Sequence, residues 1–273
     1  MSEAEIPPGV DPTRPSPGRI YDYFLGGTEN FEIDRRTAEA ILQLEPDLPD
    51  GVWANRGFLQ RCVAWMAEIG VDQFLDIGAG LPTRNNTHEA AQKVNPAAKV
   101  AYVDNDPMVA THAKSLLEGS HNTVFVQGHF QSPETILNNP EVRALIDFTR
   151  PVGLLAVALL HFVPRFEDPI GLLHRYLDMM PSGSYLAISH ATADHQAPEK
   201  VEKGMELYSA ASNKLTLRSK AEVMEFFEGL QIVPPYPGAK AEVTYVSLWG
   251  AEDPQLADSD GGRLGYCAVA RKP

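Results

Sequence analysis

A short loop with two glycines carries the strongest chemical signal in the sequence. It follows an apolar run and consists of Asp76, Ile77, Gly78, Ala79, Gly80 and Leu81. The two glycines allow a tight turn and let a ligand approach the backbone closely, which a Cβ atom would obstruct. A dinucleotide site usually needs a third glycine on the way into the next helix, and Pro82-Thr83 fills the stretch before that position here. Because Asp76 adds a negative charge, the loop favours a cationic ligand group over a pyrophosphate.

A second acidic residue ends the next apolar run. Asp104, followed by Asn105, lies near the end of a strand candidate that spans residues 99–106. A carboxylate at this position can accept hydrogen bonds from the hydroxyls of a ribose. The glycine loop alone is also compatible with a simple turn between a strand and a helix. The loop and Asp104 on consecutive strands together favour a site for an adenosine-containing ligand.

The elements that would position these residues alternate between strands and helices. The strand candidates are apolar runs at residues 73–80, 99–106, 123–128, 152–159 and 184–191. Their alternation with helical segments predicts an α/β protein with a Rossmann-like, doubly wound and mostly parallel sheet. In such a sheet ligands bind at the carboxyl ends of the strands, where the glycine loop and Asp104 lie. The last two candidates, 230–234 and 266–272, have no clear helix between them. We therefore expect an antiparallel edge and a seven-stranded sheet.

Specific residue pairs mark where the helices begin. Asp106-Pro107 and Asp168-Pro169 each place a capping carboxylate before a proline at the first helical position. Ser219 and Glu222 match a capping box, in which each residue satisfies the backbone of the other. A further helix is predicted from Thr83 to Val94, where Asn95-Pro96 stops it.

The N-terminal quarter of the chain divides into a tail and a helical cap. Residues 1–18 are acidic and rich in proline, which predicts a disordered tail. Residues 19–70 contain a turn at Gly26-Gly27 and two helical apolar patterns, the second ending at Gly70. We expect this segment to form a cap on a ligand-binding domain at residues 71–273. The run that includes Tyr21 has two interpretations: a helix and turn packed on the core, or a lid over the ligand.

Composition limits the classes of partner and compartment. The 273-residue chain has 23 Lys and Arg against 36 Asp and Glu, a formal charge of −13. Nucleic-acid binding depends on basic residues that neutralise phosphates, so a nucleic-acid partner is disfavoured and a small-molecule substrate is expected. Cys62 and Cys267 stand in unrelated contexts and predict neither a disulfide framework nor a metal site. With no signal-peptide pattern and no apolar stretch of about 20 residues, we expect a cytoplasmic protein with no membrane partner.

Four motifs resemble those of the class I S-adenosylmethionine (SAM)-dependent methyltransferases, and more narrowly of one methyltransferase-like family among them. They are R-I-Y-D-Y-x-L-G-G-x-x-N-F at residues 19–31, Q-F-L-D-I-G-x-G-L-P-T at 73–83, Y-V-D-N-D-P at 102–107 and L-H-F-V at 160–163. The resemblance implies SAM as the cofactor and S-adenosylhomocysteine as its product. It also implies a set of cofactor-binding residues: Asp76, Gly78, Ala79, Gly80, Leu81, Asp104, Asn105, His129, Phe130, Ala158, Tyr21, Asn30 and Arg56. Arg56 and Asn30 are the candidates for the carboxylate of the cofactor.

At one position the chain departs from the family pattern. Such proteins commonly carry an Asp after the third strand that bonds the adenine amino group. Here the run is Gln127-Gly128-His129-Phe130. A neutral imidazole can accept a hydrogen bond but brings no fixed negative charge, so His129 puts the adenine contact at this position in question.

His161 is the candidate catalytic residue. It follows the fourth strand, and its surroundings resemble the L-H-D-W segment of small-molecule O-methyltransferases, in which the histidine removes the proton of the acceptor hydroxyl. Phe162-Val163 replaces Asp-Trp here, so the residues that would orient the imidazole are missing from the motif. The alternative is a purely structural histidine.

These observations favour a SAM-dependent methyltransferase that methylates an oxygen or nitrogen of a small molecule. No N-P-P-Y or D-P-P-Y run follows the fourth strand, and neither cysteine stands where a C5 base methyltransferase keeps its nucleophile. A non-catalytic SAM-binding sensor or interaction protein is the alternative, favoured by His129 and by the incomplete motif around His161. An NAD-dependent oxidoreductase is a third interpretation, which the missing third glycine weakens.

Overall fold

Five parallel strands form the centre of the fold. The computed structural model describes residues 6–82, 85–117, 120–210 and 215–273. Its parallel strands are β1 (Gln73–Ile77), β2 (Lys99–Asp104), β3 (Thr123–Gln127), β4 (Gly153–Val157) and β5 (Tyr185–Ala191). They lie in the order β3-β2-β1-β4-β5, so the strand order reverses between β1 and β4. Doubly wound sheets bind their ligands in the crevice at this reversal.

Antiparallel strands complete the sheet beyond β5. β8 (Gly265–Arg271) pairs with β5 along its whole length, and β6 (Gln231–Ile232) and β7 (Thr244–Tyr245) each pair with β8. The predicted mostly parallel sheet with an antiparallel edge is therefore confirmed. The described residues form eight strands rather than the expected seven, because β7 is only two residues long and leaves no alternating pattern in the sequence.

The described residues also form eleven helices. They are α1 (Pro17–Phe24), α2 (Glu32–Leu44), α3 (Leu48–Glu68), α4 (Thr87–Val94), α5 (Pro107–Leu116), α6 (Pro133–Leu137), α7 (Pro140–Leu145), α8 (Pro169–Asp178), α9 (Pro198–Ala210), α10 (Lys220–Glu225) and α11 (Pro254–Ala257). None of these helices combines the length and apolarity that a membrane span requires.

Alternating side chains of the central strands build two apolar layers. Leu75 of β1 and Leu154 of β4 are fully buried in one cluster with residues of α8 and α10. Phe74 and Leu155, their chain neighbours, are buried in a second cluster with residues of α3. Since the side-chain period of a strand is two, neighbouring residues face opposite sides of the sheet. Because helices cover both faces of the sheet, the central strands are apolar almost throughout.

The predicted helix starts are confirmed at three positions and displaced at one. The side chains of Asp106, Asp168 and Ser219 each accept a backbone hydrogen bond at the start of α5, α8 and α10. The helix expected from Thr83 begins instead at Thr87, and Thr83 itself lies outside the described residues. Asn86 and Glu89 form a capping box that sets this later start.

The helical cap has an apolar cluster of its own. Ile20, Phe24, Leu25, Ala38, Ile41 and Val52 pack together between α1, α2 and α3. α9, which the sequence did not predict, packs against α2. The ion pair between Lys200 Nζ and Glu45 Oε2, 2.9 Å apart, joins α9 to the end of α2. α9 begins with Pro-Glu-Lys-Val-Glu-Lys. These charged residues obscure the apolar periodicity by which a helix is recognised in the sequence.

The segment before α1 is packed, which differs from the expected disordered tail. Val10 lies against a small cluster of Leu81, Met108 and Val109. Ser16 donates from its backbone N–H to Asp34 Oδ1 at 2.9 Å and from its hydroxyl to Asp106 Oδ2 at 3.2 Å. Composition could not reveal this, because the partners that satisfy these polar groups are distant in sequence.

Candidate functional site

A cavity of ≈ 770 Å³ opens over the carboxyl ends of the parallel strands. This volume lies within the range of about 300–1,000 Å³ that is typical of small-molecule sites. The loops after β1 to β5 form its floor, and the cap, α9 and the segment before α1 cover it. All but one of the predicted site residues line it: Tyr21, Arg56, Asp76, Gly78, Ala79, Gly80, Leu81, Asp104, Asn105, His129, Phe130, Ala158 and His161.

Asn30 is the predicted residue that does not line the cavity. Its side-chain nitrogen donates to Asp22 Oδ2 at 2.9 Å and to the carbonyl of Gly27 at 3.1 Å. Its side-chain oxygen accepts a hydrogen bond from Arg35. Asn30 therefore stabilises the turn after α1, and the expectation that it contacts a cofactor carboxylate is not supported by its position.

The glycine loop is shaped by positive backbone φ angles at Gly78 (+74°) and Gly80 (+68°). A Cβ atom on Gly78 would lie 2.7 Å from Leu159 Cδ1, so a larger residue would have to displace the Leu159 side chain and adopt a strained backbone conformation. The Gly80 N–H donates to Asp104 Oδ2 at 2.9 Å, which ties the first loop to the end of β2. The two strongest elements of the sequence pattern are thus joined in one contact.

Asp104 is held by backbone donors on both carboxylate oxygens. Oδ1 accepts the Asp106 N–H at 2.9 Å, while Oδ2 takes that of Gly80. Burial raises the pKa of the Asp104 carboxyl, and the backbone hydrogen bonds oppose that rise. Each oxygen keeps a second lone pair, so the group can still accept hydrogen bonds from a ligand. Next to it, Asn105 Nδ2 lies 3.2 Å from His129 Nδ1, which joins the ends of β2 and β3.

Asp76 and Arg56 form the charged centre of the cavity floor. Asp76 Oδ2 accepts a hydrogen bond from Thr87 Oγ1 at 2.5 Å. Burial raises the pKa of the Asp76 carboxyl to about 6, although the Thr87 hydrogen bond and the charge of Arg56 act to lower it. Arg56 is 6% exposed, and its buried Nε has no hydrogen-bond partner among the described residues. A buried donor left unpaired is costly, so this nitrogen fits an anionic ligand group.

A chain of hydrogen bonds links the sheet to the cap. The Ala158 N–H, at a residue with φ +54°, donates to Ser189 Oγ at 2.9 Å. Ser189 Oγ in turn donates to Asn55 Oδ1 at 2.5 Å, and Asn55 Nδ2 donates to the Tyr21 hydroxyl at 2.9 Å. Tyr21 is thereby fixed over the cavity by residues of α3 and β5.

His161 lies in a short helical turn after β4, where its geometry argues against the general-base role expected from the sequence. Its Nδ1 accepts the Ala191 N–H at 3.3 Å. A backbone amide can only donate, so the neutral ring carries its proton on Nε2 and offers a donor there rather than a basic lone pair. Burial, with the nearby His190 and Arg218, holds the pKa of His161 well below its usual value. The ring is therefore a neutral hydrogen-bond donor.

His190 and Arg218 support His161 from behind, and sequence reasoning missed both. His190 donates from Nδ1 to the Ala191 carbonyl at 2.7 Å and accepts at Nε2 from Arg218 at 2.8 Å. Burial lowers the pKa of His190 to about 3. The signal that could have found His190 is its place near the end of β5, beside the strand that leads to His161. Arg218 precedes a capping box and gave no such signal.

Comparison with known proteins decides the family. The sequence matches the S-adenosyl methyltransferase family over residues 3–273. A DUF574 family protein from Streptomyces avermitilis is 42% identical, with a TM-score of 0.87 and coverage of 95% of this chain and 98% of that one. A candidate methyltransferase from Thermobifida fusca is 38% identical, with a TM-score of 0.87 and 97% coverage of both chains. A search of the curated proteins gives no match. The chain belongs to the S-adenosyl methyltransferase family.

As a member of this family the protein is a SAM-dependent methyltransferase, and the described residues fit that cofactor. The unpaired Arg56 Nε matches the need of a buried carboxylate. Apart from Gly80 and its chain neighbours, no atom of the described residues lies within 4 Å of the place where Gly80 would carry a Cβ atom, so the backbone of the loop is open to a ligand there. Carboxyl groups at the ends of β1 and β2 match an amino group and a ribose. The described residues of the cavity are therefore compatible with the cofactor that the family uses.

Proposed function

We propose that the protein transfers the methyl group of SAM to an oxygen or nitrogen of a small apolar molecule. The main support is the part of the cavity that lies beyond the loops of β1 and β2. Apolar side chains from the cap, α9 and the segment before α10 line it: Phe24, Ile41, Leu44, Leu48, Val201 and Leu217. A chamber covered by helices suits an enclosed ligand better than a polymer. We call this region, with the loops after β4 and β5, the acceptor half, and the loops after β1 to β3 the cofactor half.

The net charge and the cysteines support the same setting. A formal charge of −13 disfavours a nucleic-acid substrate. Cys62 and Cys267 are both buried free thiols, which supports a reducing, cytoplasmic environment.

We assign the parts of SAM to the cofactor half as follows. Asp104 accepts the ribose hydroxyls, and Gly78 to Leu81 provide the backbone surface below it. Arg56 binds the carboxylate of the methionine part, which completes the hydrogen bonding of its buried Nε. Asp76 interacts with the cationic amino group. His129 and Asn105 contact the edge of the adenine. In this chain these two neutral residues stand where related methyltransferases commonly have a negatively charged Asp.

When bound, SAM supplies a methyl group on a cationic sulfur that is open to in-line displacement. The residues of this chain contribute alignment and the exclusion of water. In well-oriented systems alignment alone gives effective molarities of about 10⁵–10⁸ M. Tyr21, fixed through Asn55 and Ser189, closes the boundary between the two halves of the cavity.

Calorimetry and an acceptor screen test this function. We expect the full chain to bind SAM and S-adenosylhomocysteine, and to release S-adenosylhomocysteine with some of a panel of phenols, carboxylates and amines. Val201→Trp should narrow the acceptor half, lowering turnover while leaving the affinity for S-adenosylhomocysteine unchanged. A protein that binds neither compound, or that prefers oligonucleotides as substrates, would contradict the proposal.

A further inference from the structure

A buried guanidinium lies behind residues that line the acceptor half. Arg218 is 4% exposed and donates to the carbonyl oxygens of Leu160 at 2.9 Å and Val163 at 3.0 Å. Among the residues that the structure describes, no carboxylate oxygen lies within 4.0 Å of its nitrogens. The nearby Glu222 pairs with Arg165 instead. A positive charge without an ion-pair partner therefore remains behind the loop that carries His161.

His161 lies between this positive charge and the cavity. It lines the cavity, and Arg218 is one of the groups that lower its pKa. With Nδ1 accepting the Ala191 N–H, its Nε2–H is the polar group left for a ligand. A donor in a positive field stabilises a partner that carries negative charge.

The described acidic and imidazole groups that line the cavity do not offer a free base beside His161. Asp76, Asp104 and Asp106 stand at the ends of β1 and β2, on the other side of the strand-order reversal. On the cap, Glu45 Oε2 lies 2.9 Å from Lys200 Nζ. The remaining groups are engaged: Asp11 with Thr13, Asp22 with Glu29 and Asn30, His129 with Asn105, and His190 with Arg218. An acceptor at this place meets donors and positive charge.

We propose that the acceptor is an ionised carboxylate on an apolar scaffold, bound by His161 Nε2–H in the field of Arg218. This inference rests on the proposed methyltransferase function. A carboxylate oxygen forms a bond to the methyl carbon, the carbon–sulfur bond breaks with its electron pair going to sulfur, and a methyl ester and S-adenosylhomocysteine result. No proton is transferred. Carboxylic acids, with a pKa of about 4, are already ionised at neutral pH, whereas phenols, at about 10, require a base.

Binding to the product-loaded protein tests the charge of the acceptor without turnover. The probes are naphthyl, cinnamyl and decyl scaffolds, each as the carboxylate, the primary amide, the alcohol and the amine. With S-adenosylhomocysteine at saturation, calorimetry should show the carboxylates binding about tenfold or more tightly than the matched amides, as one hydrogen bond to a charged group implies. Equal or weaker binding of the carboxylates across all three scaffolds overturns the proposal.

Two variants of His161 separate the donor role from a base role. His161→Gln keeps an N–H donor, and His161→Leu removes it. We expect the His161→Gln variant to keep most of the preference for carboxylates and the His161→Leu variant to lose it. Melting curves should show that both variants fold. If the His161→Leu variant does not fold, the His161→Gln variant decides the question alone. A retained preference for carboxylates supports the donor role of His161, and a lost preference overturns it.

The outcomes also distinguish this inference from the function on which it rests. A protein that binds S-adenosylhomocysteine and methylates amines or phenols at a rate rising with pH remains a small-molecule methyltransferase, and the carboxylate proposal fails. A protein that does not bind S-adenosylhomocysteine in the first titration contradicts both. Methyl ester formation at a rate that is flat above about pH 6, where carboxylic acids are ionised, supports both.

Discussion

The cofactor half and the acceptor half of the cavity differ in their buried ionisable groups: carboxyl groups occur beside Arg56 in the first half, and the second half has imidazoles and a guanidinium. At the ends of β1 and β2, carboxyl groups are held by backbone and hydroxyl donors, and burial raises the pKa of both Asp76 and Asp104. Beside β4 and β5 the buried groups are two neutral imidazoles and one guanidinium. On one side of the strand-order reversal the carboxyl groups have the guanidinium of Arg56 near them, and on the other a guanidinium has no carboxylate oxygen of the described residues within 4.0 Å.

This difference shows how one sheet edge can serve two ligands. The floor of both halves consists of loops after parallel strands. The two halves differ in the side chains that lie at the carboxyl ends of their strands. In the proposed reaction Asp76 attracts the cationic donor and Arg218 attracts the anionic acceptor, and electrostatic complementarity of this kind contributes mainly to specificity.

The largest expected effect comes from opening the cover of the cofactor half. Arg19 Nε lies 2.7 Å from Asp34 Oδ2, with side-chain exposures of 4% and 0%. Arg19→Met leaves a buried carboxylate unpaired, which costs about 3–5 kcal/mol of stability. We expect a lower melting temperature and weaker SAM binding, measured by calorimetry.

An exposed pair on α2 provides the matched control. Arg36 Nε lies 2.8 Å from Glu32 Oε1 at exposures of 72% and 61%, so Arg36→Met should change stability far less than Arg19→Met does, because solvent screens an exposed ion pair. Similar losses for the two variants would mean that the buried pair does not hold the cover in place.

Removing the acid at the end of β2 should affect the cofactor half alone. Asp104→Ala is expected to weaken SAM binding by about 1.5–3 kcal/mol, the range for hydrogen bonds to a charged group. Asp104→Asn, which keeps one acceptor oxygen, should lose less. Naphthoate binding at saturating S-adenosylhomocysteine serves as the control and should change little. Unchanged SAM affinity in the alanine variant would remove Asp104 from the ribose site.

Acidification offers a test of the charge at Asp76. Its carboxyl has a pKa raised to about 6, so it is ionised above that pH and protonated below it. A cationic ligand favours the ionised form, and SAM affinity should therefore fall as the pH drops through about 6, by up to tenfold per unit. Calorimetry from neutral to acidic pH measures this fall. Asp76→Asn should flatten that part of the profile, and an identical slope in the variant would assign the titration to another group.

The smallest expected effect tests the link between the halves. Tyr21→Phe removes the hydroxyl that accepts from Asn55 and donates to the Val52 carbonyl, at a cost of about 0.5–1.5 kcal/mol. Tyr23→Phe on the same helix is the control, because the Tyr23 hydroxyl makes no hydrogen bond within the described part of the chain. Chemical denaturation of both variants gives the comparison. Equal stability would show that the link adds nothing.

The cofactor half was the more predictable of the two. Its residues come from consecutive strands and short contiguous motifs, so the glycine loop and Asp104 could be placed at one sheet edge from periodicity and topology alone. The contact of Gly80 N–H with Asp104 then follows from the parallel pairing of β1 with β2. Local sequence is enough where a site is built from adjacent turns.

The sequence predicted His161 and Ala158 in the acceptor half but not the contacts around them, because those contacts join distant segments. His161, His190 and Arg218 come from the end of β4, from β5 and from the segment before α10. The tautomer that makes His161 a donor depends on the Ala191 N–H, a backbone position that no motif specifies. The link from Ser189 to Asn55 spans 134 residues. Such partners are set by tertiary packing, which a sequence pattern does not contain.

The packing of Val10 and Ser16 against Leu81, Met108 and Asp106 has a consequence for synthesis on the ribosome. The earliest of these residues emerges about a hundred positions before the last of its partners. At about 5–20 residues per second, it waits at least ~5–20 s for a surface on which to dock. Val10 and Ser16 are thus made well before the residues on which they pack, and nascent chains shorter than this span should leave the loops after β1 and β2 uncovered.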